Sequence, residues 1–220
     1  RAVVMRTLYP ASGYFLATRS LKPISRKFGF DRGTPIDRYW IESFLSDHHS
    51  DIKGRVLEIG DNRYTKQFGG NAVKQSDVLD VVKNPQATII ADLANVSQVA
   101  DETFDCIVLT HVLGIVPEYQ QALQECYRLL KKNGTLLITV SCFSPVQTHS
   151  PSLWRFSPRG LAYAVGKAFG EENVQVSSYG NVLSGQMFWV GMSQEEMTKE
   201  EIEYRDPEYP CIATCRAVKQ

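Results

Sequence analysis

An α/β fold, a mostly parallel sheet covered by helices, is what this sequence predicts, and three observations predict it. Short segments rich in Val, Ile, Leu and Thr follow one another after residue 55: "RVLEIG", "VKQSDVLD", "ATIIADL", "FDCIVLT" and "GTLLITV". Such near-continuous apolar runs read as strands buried on both faces. Between the last two lies "PEYQQALQECYRLLKKNG", with Tyr119, Ala122, Leu123, Cys126, Leu129 and Leu130 on one helical stripe. Strands separated by helical connections are parallel neighbours. The chain has 220 residues, 43% of them apolar and 22% charged, enough for one domain with a substantial core.

Taken in order, residues 1–33 are weakly periodic and rich in basic side chains, and read as an N-terminal arm. Residues 34–220 read as a single domain. Its first helix is announced by "TPIDRYWIESFLSDHH". Thr34 suits the cap, Pro35 the first helical position, and Asp37 completes a capping box. Only about a dozen residues separate the first two strands, near the minimum for a parallel crossover, so the helix there has one or two turns. The helix before the fifth strand starts at Pro117 and Glu118 and stops at Lys131, Lys132 and Asn133-Gly134. A loop through "SCFSPVQTHSPSLWRFSPRG" then leads to a helix from about Pro158 to Phe169. "NVQVSSYG" and "CIATCRAV" read as closing strands, with a helix around "GQMFWVGM" between them.

The 24 basic and 24 acidic side chains balance, without the basic excess of a nucleic-acid binder. No apolar run approaches the ~18 residues of a membrane span. Five scattered cysteines without a Cys-x-x-Cys pair read as reduced core thiols, and hence as a cytoplasmic protein. No cluster of His and carboxylates reads as a metal site.

Four stretches carry a family resemblance. "VLEIG" places an acid two residues before a glycine at the end of strand one, "SDVLD" closes strand two, and "ADLANV" follows. The fourth and most specific is "DETFDCIVLTHVLGIVPEYQQALQECYRLLKKNGTLLIT". Together they resemble the class I S-adenosylmethionine-dependent methyltransferases, in particular the small-molecule group called type 11. The opening "DRGTPIDRYWIESFL" is similar to a subgroup met beside or fused to glycosyltransferases. The resemblance spans roughly residues 31–218. It implies a Rossmann-like seven-stranded sheet, mostly parallel with one antiparallel strand, and helices on both faces.

The sequence departs from that group after Gly60, where Asp61 and Asn62 stand in place of further glycines. A pyrophosphate site needs bare backbone amides, so the departure counts against a dinucleotide. The methionine end of S-adenosylmethionine carries no phosphate, and Asp and Asn enter left-handed backbone readily. The resemblance implies S-adenosylmethionine as cofactor, held by Glu58, Gly60 and Asp61 on the first loop. It assigns the ribose hydroxyls to the strand-two region, at Asp77 and Val78, with Asp80 as the rival acid. Asp92 and Leu93 are expected at the adenine and Thr110 at the end of strand four. Tyr39 and Tyr64 are candidates to cover the cofactor, and Trp154, Arg155 and Phe156 to wall the acceptor pocket.

Methyl transfer from a sulfonium needs a base only when the acceptor must lose a proton. His111, ending strand four, and His149, in the loop before Trp154, are the expected bases. No Asn-Pro-Pro-Tyr-like motif follows strand four, which points away from a planar amine and toward an oxygen of a small molecule or saccharide. The contrasting expectation is a catalytically silent cofactor-binding or interaction module of a larger carbohydrate or natural-product assembly protein.

Overall fold

The computed structural model describes residues 20–146 and 151–220. Its strands form a seven-stranded sheet in the order β3-β2-β1-β4-β5-β7-β6. They are β1 Gly54–Ile59, β2 Val73–Asp80, β3 Ile89–Ile90, β4 Phe104–Thr110, β5 Leu130–Ser141, β6 Val174–Tyr179 and β7 Ile212–Val218. β7 runs antiparallel to both β5 and β6, and the pairs from β3 through β5 are parallel. The helices are α1 Ile36–Asp47, α2 Tyr119–Leu129, α3 Pro158–Phe169, α4 Val182–Val190 and α5 Lys199–Glu203.

Alternation along the strands divides the core in two. Leu57, Ile107, Leu109, Leu136 and Ile138 point to the face covered by α2 and α3. Val56, Cys106, Val108 and Leu137 point to the face covered by α1 and α4. The α2 stripe buries Ala122, Leu123, Cys126 and Leu129, as its spacing requires. Ser157 caps α3 by accepting from the Gly160 N–H, with Pro158 at the first helical position. The connection from β1 to β2 holds one wide turn, Thr65–Gly69, and a 3-10 turn, Gly70–Ala72. Residues 20–33, the described part of the expected arm, lie along α4, where the Ile24 and Ser25 N–H groups both donate to Val190 O.

Three local expectations change. α2 stops at Leu129, and residues 130–134, expected at the helix end, already belong to β5. α1 starts after Pro35, which makes no side-chain cap, and the Asp37 carboxylate does not close a capping box. It faces His111 instead. The third strand pairs only at Ile89–Ile90, because Asp92 already bridges back to Asn95 in a turn.

The start of β1 is tied to β7 by Asp51, which accepts from Arg216 Nε at 2.7 Å and Nη2 at 2.9 Å. Burial works to raise the Asp51 carboxyl, but the Arg216 bonds outweigh it and the group lies below its ordinary value. A carboxyl lowered on folding contributes stability that is present above its unfolded value, ~3.9, and lost as pH falls through the lower native value. Asp51→Ala is expected to cost about 1.5–3 kcal/mol near neutrality. Urea unfolding at pH 7 and pH 3 should show the gap between wild type and variant closing in acid.

Candidate active site

The carboxyl ends of β1, β2 and β4 open on one side of the sheet, where open α/β sheets hold ligands. Gly60 turns the chain off β1 at φ +82, and its N–H donates to Leu79 O at 2.9 Å. A Cβ there would meet nothing within 4 Å, so the backbone angle, not crowding, calls for glycine, and open space lies beside it. The next two residues stabilise the turn with their own side chains. Asp61 Oδ1 accepts from the Arg63 N–H at 2.9 Å, and Asn62 Nδ2 donates to Ser76 Oγ at 3.1 Å. Glu58 is buried and accepts from the N–H groups of Tyr64 and Thr65, the latter at 2.7 Å. Burial pushes its carboxyl above the ordinary value, against the pull of those bonds. Glu58 therefore holds the loop by its amides.

Strand two requires a correction. Asp77 lies mid-strand opposite Leu57 and is 5% exposed. Its carboxylate accepts from Arg55 Nε at 2.7 Å, Gln75 Nε2 at 3.0 Å and Thr88 Oγ1 at 3.0 Å. It is a structural ion pair, not a free acceptor for a ribose. Val78 is likewise a core residue, 1% exposed, with its N–H donating to Thr88 Oγ1. The acid at the strand's end is Asp80, beside the Leu79 carbonyl that takes the Gly60 N–H. Its carboxylate accepts from the Val82 N–H at 3.1 Å and Asn84 Nδ2 at 2.6 Å and, unlike that of Asp77, is in no ion pair among the described residues. After it come two exposed apolar side chains that sequence reasoning missed, Val81 and Val82. Asp92 is exposed and caps its own turn by accepting from the Ala94 N–H, while the Leu93 side chain is in the core. Tyr64 is buried with its hydroxyl on Arg38, and the Tyr39 hydroxyl donates to Glu203, so neither is free as a cover.

Thr110 ends β4 opposite Thr139. His111 follows in left-handed backbone at φ +58, its N–H donating to Thr139 O at 2.8 Å. Histidine is among the residues that tolerate this region, and such outliers gather at functional sites. Its Nε2 lies 3.4 Å from Asp37 Oδ2, and its Nδ1 3.4 Å from Ser141 Oγ. Burial works to raise the Asp37 carboxyl, but contact with His111 and its charge outweigh it, so the group sits below its ordinary value. Asp37 Oδ1 and His111 Nε2 are buried without a hydrogen-bond partner among the described residues. Buried polar atoms are nearly always paired, so these two mark a site. They border a cavity of about 190 Å³ that Ser141, Trp154 and Arg155 also line. Phe156 instead packs edge-on against Tyr119 in the core. His149 lies outside the described residues.

Residues 61–138 match the family described as Methyltransferase domain. No curated protein matches the sequence. Among solved structures, a possible histamine N-methyltransferase from Thermotoga maritima is 18% identical, with 98% of this chain and 97% of that chain covered and a TM-score of 0.55. An S-adenosylmethionine-dependent methyltransferase from Archaeoglobus fulgidus is 16% identical over 94% and 99%, with a TM-score of 0.57. The cyclase SpnF is 13% identical over 99% and 94%, also at 0.57, so the shared fold by itself does not name a reaction. By its strand order the chain has the fold of the class I S-adenosylmethionine-dependent methyltransferases, and its central block matches the Methyltransferase domain family.

Proposed function

We propose that the domain methylates a hydroxyl oxygen of a small molecule or saccharide, with His111 accepting the proton. The observation that carries this reading is the pair of His111 and Asp37 at the end of β4, opening on a cavity. S-adenosylmethionine, when bound, supplies a methyl group already activated on a sulfonium. The chain's own residues align the acceptor and take its proton. Asp37, held as a carboxylate, favours a proton on Nε2 and leaves the Nδ1 lone pair for the hydroxyl, the arrangement of a positioned base. With the cofactor bound, the acceptor oxygen would take the methyl group from its sulfonium, and His111 Nδ1 would take the hydroxyl proton.

We assign the open space beside Gly60, with Asp61 next to it in the chain, to the methionine end of the cofactor. The ribose hydroxyls are assigned to Asp80, whose Oδ1 and Oδ2 also accept from the Val82 N–H and Asn84 Nδ2 and keep further lone pairs. Asp92, the Leu93 backbone and Thr110 complete the proposed contacts.

Calorimetry with S-adenosylhomocysteine tests this. Asp80→Ala is expected to weaken binding by ~1.5–3 kcal/mol, the range for charged hydrogen bonds. Asp77→Ala should instead lower the unfolding midpoint and spare affinity in the folded protein. Micromolar binding of NAD with none of S-adenosylhomocysteine would overturn the reading.

A further inference from the structure

We propose that Arg155 is an anion receptor for the acceptor, so that the molecule methylated here carries a carboxylate or phosphate beside its hydroxyl. The proposal rests on the methyl-transfer reading for its reaction, and on the cavity alone for its charge.

The segment bearing Arg155 is fixed to the end of the sheet. The Leu153 and Trp154 N–H groups both donate to Gly114 O, at 2.8 and 3.0 Å, and the Phe156 N–H to Ser141 O at 3.2 Å. Trp154 Nε1 donates to Val116 O at 3.0 Å, with its ring edge-on to Tyr119. Arg155 is itself held by neutral groups: Nη1 donates to Trp154 O at 2.8 Å, and Nη2 to Ser152 Oγ at 2.8 Å and Ser144 O at 3.4 Å. A guanidinium has five N–H donors. Nε–H and one Nη1–H are thus left over among the described residues.

No carboxylate neutralises this cation. The half-buried Arg55, Arg128 and Arg216 each pair with Asp or Glu, and Arg155 pairs with none among the described residues. Residues 1–19 and 147–150 contain no Asp or Glu, so the rest of the chain has no acidic side chain to offer. The cavity is also bordered by Arg38, whose Nη1 donates to the Tyr64 hydroxyl. Arg38 has the carboxylates of Asp37 and Glu42 nearby, whereas Arg155 has no carboxylate beside it among the described residues. A partly desolvated cation is costly without a counter-charge, and guanidinium is the side chain best matched to carboxylate and phosphate. At about 190 Å³ the cavity is smaller than pockets for drug-sized ligands, which suits an acceptor of one ring.

Calorimetry on the full chain tests this, with and without saturating S-adenosylhomocysteine. The probes are 4-hydroxybenzoate, glucuronate and glucose 6-phosphate against the neutral 4-hydroxybenzamide and glucose. At least one acid should bind ~10-fold or more tighter than its neutral counterpart, the effect of one charged hydrogen-bonded contact. Arg155→Gln should remove that preference, Arg155→Lys should keep part of it, and neither should change affinity for S-adenosylhomocysteine. Equal binding of acids and neutrals, no binding by any acid, or a preference that survives Arg155→Gln would overturn the proposal. So would a loss of S-adenosylhomocysteine affinity in Arg155→Gln, which would give Arg155 to the cofactor's own carboxylate. An acid preference in a chain that binds no S-adenosylhomocysteine would overturn the methyl-transfer reading and leave the receptor standing.

Discussion

His111→Ala is expected to lower turnover by ~10²–10⁴-fold, the usual contribution of a positioned base, while affinity for S-adenosylhomocysteine should stay within about twofold of wild type. The expectation follows from position. His111 sits one residue past β4, lines the cavity, and has Asp37 on one ring nitrogen and Ser141 near the other. The two side chains act as one unit, so their losses should not add. Asp37→Ala should cost less than His111→Ala, and the double variant about as much as His111→Ala alone. Steady-state rates of S-adenosylhomocysteine release, with an acceptor identified from the acidic and neutral probes, provide the measurement. Near-normal turnover in His111→Ala would show that alignment alone carries the reaction or that another group takes the proton.

Periodicity carried the sheet and its covering helices into view, because a strand buried on both faces and an amphipathic helix leave opposite signatures in the chain. β4, α2 and β5 were legible for that reason, and so was the short connection after β1, from its length alone. Register was not legible. Asp77 and Asp80 are both acids in one apolar run, and only the pairing of Leu57 with Asp77 shows which is mid-strand and which ends it. Arg55, which fills Asp77's carboxylate, is 22 residues away, a separation that no local pattern encodes. Asp37 misled for a related reason. An acid in the first turn of a helix reads as a cap, and its partner His111 comes from the far side of the sheet's first crossover. Arg155 looked like one member of an aromatic wall. Its lack of an anion is a property of three dimensions, although the absence of acids from residues 1–19 and 147–150 could have been counted beforehand.

Trp40→Ala is expected to destabilise the domain by ~3–5 kcal/mol, the range for removing a large buried aromatic side chain. Trp40 is fully buried on α1, between that helix and the β1–β4–β5 face of the sheet, with Ile36, Phe44 and Val56 in the same cluster. Its Nε1 also donates to Ile202 O at 3.0 Å, so truncation leaves a buried carbonyl without that partner as well as a cavity. The consequence reaches the site, because α1 carries Asp37 and Arg38 one turn earlier. A helix seated less firmly holds Asp37 less well against His111, and small misplacements at a reacting centre are costly. Turnover per folded molecule should therefore fall in Trp40→Ala. In Phe169→Ala, a core truncation on the opposite face under α3, it should hold near wild type. Urea unfolding gives the stability of each variant, and rates at a temperature where both remain folded give the comparison. Equal turnover per folded molecule in the two variants would show that α1 does not position the base.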